Sequence, residues 1–399
     1  MRIVYLDNNA TTRTDVEVVA AMLPYFTEHF GNPSSAHDFG AMSRLALKQA
    51  REKTRALIGA SFSEEILFTS GGTEADNTAI LGAIEAADGR DEIVVSAVEH
   101  PAVLALIARL ERARRIRVHR IPVDAMGRLD RDRYRAVLSR KVALVSIMWA
   151  NNETGVVFPV EELAEEAKAV GALFHTDAVQ AVGRAPIAVR ETAIDMLSLS
   201  AHKLHGPKGV GALYVRRGAP IHPLILGGSQ ERGRRAGTEN APGIVGLGKA
   251  AEIAATRRRG DAARMRALRD RLEASLTARI PGAFVLGDVE RRLPNTSALV
   301  CAEAEADAIV LLLNRAGVAA SSGAACAAGA LAPSHVLRAM NVPAALAVGA
   351  VRLSLSRDND DDDIDRVIEI MPAIVEKLRA GSRAPDVVAP ARTAEWAYA

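Results

Sequence analysis

An α/β architecture is the fold class that the sequence predicts: a large domain whose mostly parallel, seven-stranded mixed sheet lies between helices, joined to a smaller α/β domain. Three observations lead there. Between residues 65 and 215, short β-branched apolar runs alternate with segments of helical periodicity. A long helical pattern over 241–278 then leaves that alternation, and residues 280–380 carry a second, shorter set of strand and helix patterns. A chain of 399 residues is too long for one small core. The reading divides it into a large domain (14–255), a small domain made of 1–13 with 256–380, and a flexible tail (381–399).

Each element follows from local signals. A strand over 3–6 ends in the polar run DNNATT, helical periodicity starts at Asp15, and Pro24 interrupts it. FGNPSSAH (30–37) carries two turn breakers and reads as an exposed loop, followed by a helix over 43–58 with Gly59 just past its end. Strands are expected at 65–69, 92–97, 117–121, 142–149, 172–176, 195–200 and 210–215. Helices fall at 73–87, 101–114, 130–138 and 160–170. The second unit offers strands at 296–301 and 351–356. Its acidic run 358–363 suits the N-terminus of a helix over 364–378 better than a calcium site.

Composition removes several function classes. A net charge of +2 with 4% aromatic residues argues against nucleic acid, and the cluster Arg257, Arg258, Arg259 reads as a solvated helix face. The uncharged stretch within 316–334 is Gly, Ala and Ser, a loop rather than a membrane span. With two cysteines, Cys301 and Cys326, and no secretory segment at MRIVYLDNN, a reducing cytoplasm is expected.

The chemistry gathers at strand ends. Lys203 follows the 195–200 run where the chain reverses, in a sequence whose 50 basic residues include eight lysines and therefore 42 arginines. A lysine flanked by apolar strands is a poor solubility residue, and its amine can form a Schiff base with an aldehyde. After 65–69 come Gly71, Gly72 and Thr73 ahead of a helix, an anion cradle in which Thr73 assists. After 92–97 comes His100 before Pro101, which taken singly reads as a cap. Asn152 lies in the polar loop after 142–149, and Asp177 and Gln180 follow 172–176. A carboxylate ending a buried strand needs a partner to stay ionised, and a protonated pyridine nitrogen is one. Together these residues match what pyridoxal 5′-phosphate requires.

Eight ordered motifs extend that reading: YLDNNATT (5–12), FGNPSSAH (30–37), SGGTEADN (70–77), EHPAV (99–103), NNETG (151–155), HTDAVQ (175–180), SAHKLHGPKG (200–209) and RAGTEN (235–240). The chain resembles the cysteine desulfurases, in the class V aminotransferase group of the fold type I pyridoxal phosphate enzymes. The resemblance implies Lys203 as the Schiff-base amine, Asp177 as the partner of the ring nitrogen, Gln180 at the phenolic oxygen and His100 stacked on the ring. It implies Gly72, Thr73, Ser200 and His202 at the phosphate, joined by Thr238 from the second subunit of a homodimer. Asn152, Arg352 and Asn32 would bind substrate. Arg352, in VRLSLSR, could equally make an ordinary surface ion pair, but a planar carboxylate clamp is what arginine does best.

Cys326 separates desulfuration from transamination. It lies in GVAASSGAACAAGALAPS, a run of small residues expected to be mobile, whereas Cys301 at a strand end reads as a small buried hydrophobe. The implied reaction converts L-cysteine to L-alanine and leaves a persulfide on Cys326, bound for an iron–sulfur scaffold protein. Cys326 would be at most a transient ligand of an iron–sulfur cluster. Ala324 stands where the family pattern has a serine, a departure that touches loop order or rate rather than the thiol chemistry. HKLHGPKG and SHVLRAM resemble the nitrogen-fixation type. The tail ARTAEWAYA lacks the paired histidines of the housekeeping type, which is the alternative.

Overall fold

A computed structural model describes residues 3–322 and 333–381. After strand β1 (Val4–Tyr5), helices α1 (Val16–Met22), α2 (Pro24–Thr27) and α3 (Asp38–Ile58) lead into the main sheet. Its strands are β2 (Ile66–Thr69), β3 (Glu92–Ser96), β4 (Arg117–Ile121), β5 (Val142–Ser146), β6 (Leu173–Asp177), β7 (Met196–Ser200) and β8 (Gly211–Val215). Helices α4 (Gly72–Glu85), α5 (Pro101–Arg112), α6 (Arg131–Val137) and α7 (Val160–Ala169) connect β2 through β6 in turn.

The sheet order is β2-β8-β7-β6-β5-β3-β4. Strand β8 runs against both its neighbours, while β7, β6, β5, β3 and β4 pair in parallel. It follows that β2 points the same way as those five, so their carboxyl ends share one edge, where open α/β sheets bind ligands. Strands β3, β5 and β7 are buried throughout, which is why each reads as a continuous apolar run.

Helix α8 (Ala241–Arg279) leaves this sheet and reaches a second layer of β9 (Ala283–Val285), β10 (Thr296–Cys301), α9 (Ala306–Arg315), β11 (Val318–Ala319) and β12 (Ser321–Ser322). Short helices α10 (His335–Ala339) and α11 (Ala344–Ala347), strand β13 (Ala350–Ser354) and helix α12 (Asp361–Gly381) complete it. Strands β12-β13-β10-β9 form an antiparallel sheet, and β1 pairs with β11. The first part of α8 packs Ile244, Leu247 and Ala251 into the core of the main sheet; its later part packs Met265, Leu268 and Leu272 into the core around β10 and β13. Among the described residues no helix is long and apolar enough to cross a membrane.

Local differences from the sequence reading have physical causes. Helix α3 starts at Asp38 rather than 43, capped by the His37 ring, whose Nδ1 accepts from Gly40 N–H. Gly40 masked this start: any Cβ there would lie 2.5 Å from the Ser35 carbonyl oxygen. Glu65 closes a 3₁₀ turn instead of opening a strand, its carboxylate accepting from the backbone N–H groups of Ser61 and Phe62. Strand β5 ends at Ser146, and the apolar Ile147–Trp149 stretch beyond it is buried, with Ile147 and Trp149 N–H still donating to the His175 and Asp177 carbonyls of β6. Helix α12 begins at Asp361, with Asp360 accepting from Asp363 N–H, in keeping with a capping role for the acidic run. Cys301 is fully buried, and burial pushes its thiol up to about 11. Cys326, Ala324 and residues 382–399 lie outside the described residues.

Helices α3 and α8 touch at Gly248, where an added Cβ would fall 2.5 Å from Ala50 Cα. Gly248→Ala should therefore cost about 1–3 kcal/mol through overpacking, despite the better helix propensity of alanine. Urea unfolding checks this; an unchanged midpoint would show that the helices separate freely.

Candidate active site

The shared edge of the sheet opens into a cavity of about 440 Å³. Gly72, Thr73, His100, Asn152, Asp177, Gln180, Ser200, His202, Lys203 and Arg352 all line it. The strand ends thus bring together most of the residues expected from sequence.

One wall is the start of α4. Its N-cap, Gly71, makes no side-chain cap hydrogen bond, which leaves first-turn N–H groups and the positive end of a 14-residue helix beside Thr73, Ser200 and His202. Gly72 has no room for a side chain, since a Cβ would meet Val179 Cγ2 at 2.8 Å. His202 shares a hydrogen bond with Thr11 Oγ1 at 3.1 Å, and burial, with Lys203 and other cations, lowers its pKa to about 4. It stays neutral at physiological pH.

Next to His202 lies Lys203. Its ammonium donates to the backbone carbonyls of Asn9 and, at 2.6 Å, Ala10. Burial first, then the charges of Arg184 and Arg352, push this amine from 10.5 down to about 7, against the opposing pull of Asp177 and Asp7. Asn9 O also accepts from Gln180 Nε2 (3.0 Å), while Gln180 Oε1 accepts from Arg184 (2.6 Å).

Asp177 ends β6 with Oδ1 accepting from Val179 N–H at 2.9 Å; burial raises its pKa, opposed by that hydrogen bond and by His100 and Lys203. His100 is both cap and cavity residue: Nδ1 accepts from Ala102 N–H (3.1 Å), so the neutral ring carries its proton on Nε2. Burial lowers its pKa. Arg352 is in an ion pair, but its own side chain is buried, with the half-buried Asp7 at 2.8 Å.

Two expected residues stand apart. Asn32 is exposed and does not line the cavity; its Oδ1 accepts from Ser34 N–H at 2.9 Å, so the loop's own turn occupies it. Thr238 is exposed and lines a separate space of about 140 Å³ with Ser70 and Gly209. Cys326 lies outside the described residues.

Other site residues escaped the sequence reading. Asp7, Asn9 and Ala10 line the cavity from the N-terminal segment, whose polar run directly after a strand was the available signal. Asp76 also lines it, buried, with Oδ1 lacking a hydrogen-bond partner. Burial, then the neighbouring Asp177 charge, raises its pKa well above the carboxylate range. Glu99, beneath His100, is raised by burial to about 8 and accepts from Ser96 Oγ and Met148 N–H. His175 carries no charge to offset these carboxyls: it is fully buried, lies between Ser146 and Ser198 hydroxyls, and burial holds its pKa near 3.

The depressed lysine makes stability depend on pH. Between about 7 and 10.5 the unfolded chain binds more protons at Lys203 than the folded chain, so stability rises with pH across that window. In thermal unfolding without cofactor, the parent should gain on Lys203→Met as pH rises through it. A difference independent of pH would contradict the desolvated amine.

Comparison with known proteins places this geometry. The aminotransferase class-V family model matches residues 4–367. A cysteine desulfurase of Gluconacetobacter diazotrophicus is 62% identical over 393 residues, covering 98% of both chains. Cysteine desulfurase NifS of Azotobacter vinelandii is 56% identical, covering 94% of this chain and 93% of its own. A solved NifS-like protein superposes with a TM-score of 0.88 at 38% identity, over 95% of this chain and all (100%) of the other. With the anion cradle, buried lysine and buried arginine gathered at the edge of such a sheet, the chain belongs to the aminotransferase class-V family, in its cysteine desulfurase branch.

Proposed function

We propose that the protein is a pyridoxal 5′-phosphate-dependent cysteine desulfurase of the nitrogen-fixation type, converting L-cysteine to L-alanine and passing the sulfur through a persulfide on Cys326. The observation that carries this reading is one cavity holding a desolvated amine, Lys203, a buried carboxylate, Asp177, and a buried guanidinium, Arg352. The residues fit the cofactor on structural grounds. The uncapped start of α4 and the side-chain-free position at Gly72 suit a phosphate, and the Asp177 carboxylate, still raised by burial despite Lys203 and His100, suits a further cation such as a protonated ring nitrogen.

In this reading Gly72, Thr73, Ser200 and His202 hold the phosphate, His100 stacks on the ring, Gln180 meets the phenolic oxygen and Asp177 meets the ring nitrogen. Bound there, the cofactor withdraws electrons from the substrate Cα. Lys203, with a pKa of about 7, has a large neutral fraction at working pH, which suits it to accept the Cα proton. Arg352 and Asn152 hold the substrate carboxylate. The Cys326 thiolate attacks the substrate sulfur: an S–S bond forms, the Cβ–S bond breaks, and its electron pair goes to the carbon fragment that becomes alanine.

A homodimer is part of the same proposal. Phe26, Phe30, Phe39, Met42 and Leu226 are large apolar side chains left exposed, and Phe30 and Phe39 pack ring against ring at 5.6 Å. A second copy covering this face would bring Thr238 of the partner subunit to the phosphate. We further propose residues 14–255 as the large domain and 1–13 with 256–380 as the small one. The setting is a reducing cytoplasm, and the persulfide's acceptor is an iron–sulfur scaffold.

The test is product formation. Purified protein should show yellow absorbance that borohydride bleaches, and with a reductant it should release alanine and sulfide from L-cysteine in equal amounts. Cys326→Ser should lower sulfide release by at least about 1,000-fold while keeping the absorbance change on cysteine binding. Unchanged turnover in that variant would rule out the persulfide route.

A further inference from the structure

Arg352 sits in β13, and its guanidinium is held at two corners. One terminal nitrogen, Nη2, reaches Asp7 Oδ1 at 2.8 Å, and the other, Nη1, donates to the Asn152 carbonyl at 3.1 Å. The side chain is 7% exposed, so an unpaired charge there would carry a heavy desolvation penalty. Asp7 and Arg352 both line the cavity.

The backbone, not the ion pair, sets where Asp7 stands. Asp7 bridges Ser354, two residues beyond Arg352 on the same strand. Ser354 N–H donates to Leu6 O at 2.7 Å, and Asn8 N–H donates to Ser354 O at 3.1 Å. The Asp7 carboxylate is therefore delivered to the guanidinium by strand register, and an isosteric Asp7→Asn chain has the same ladder to fold on.

We propose that Asp7 is a positioning residue for substrate binding: it orients the Arg352 guanidinium so that the remaining N–H groups of both terminal nitrogens present a planar edge to the substrate carboxylate. The inference rests on the reading of Arg352 as the carboxylate clamp. A carboxylate that merely occupied the clamp would compete with substrate, and the two roles predict opposite signs. Held by Asp7 on one nitrogen and by a neutral carbonyl on the other, the guanidinium is aimed without both ends being blocked by anions.

Asp7 also acts on the Lys203 charge, so the test must separate the two channels. Cysteamine has the amine and thiol of cysteine but no carboxylate, and it reports the lysine channel alone. In the cofactor-loaded enzyme, Asp7→Asn should raise KM for L-cysteine roughly tenfold with kcat changed by less than about threefold. By absorbance titration it should weaken L-alanine to a similar extent and leave cysteamine affinity unaltered. A lower KM, an unchanged KM, or equal weakening of cysteamine would overturn the positioning role. Arg352→Leu is the control for the underlying reading. If it weakens alanine but not cysteamine, the clamp stands and a failure of Asp7→Asn is specific to Asp7; if it weakens both equally, the clamp and the proposal fall together.

Discussion

The backbone carbonyls of Asn9 and Ala10 hold the Lys203 amine in a place where burial makes its charge costly, and the site depends on that tension. In water the amine would be protonated far above neutral pH and useless as a base. Here dipoles from a segment nearly two hundred residues earlier steer a half-neutral nitrogen, while Arg184 and Arg352 lower its proton affinity further. The same segment receives Gln180 at Asn9 and Arg352 at Asp7, so one short stretch of chain joins the Lys203 side of the cavity to the β13 side.

Around the amine, the cavity concentrates carboxyls that cannot all be charged. Asp177, Asp76 and Glu99 are each raised by burial, and the Asp177 charge adds to the effect at Asp76 and Glu99. His175 beneath them stays neutral. The consequence is a set of groups whose ionisation is biased toward whichever one meets a cation. Asp177, at the strand end and favoured in its charged form by Lys203 and His100, is the one placed to do so.

Much of this was legible from residue order. A parallel sheet puts successive strand ends on one edge, so SGGT after β2, EHP after β3, the asparagine loop after β5, HTD at β6 and SAHK after β7 had to meet if the strands were read correctly. They were, to within a few residues. What local pattern could not supply was where apolar burial stops being a strand, as at Ile147–Trp149, or which glycine sits inside a helix start, as at Gly40. Asn32 stands off the cavity for a local reason: its side chain accepts from Ser34 N–H within its own loop.

By itself, then, the sequence determined the strand-end chemistry, because strand direction and helix starts are local properties that fix which side chains reach one edge. It also determined the family, because eight ordered motifs carry that chemistry. Only the tertiary structure decided that Arg352 is a buried, aimed charge rather than a surface one, and that its partner is Asp7, 345 residues away. A pairing of that kind exists only once the segment following β1 has been brought alongside β13, and no periodicity or motif records which distant residue such a bridge will deliver.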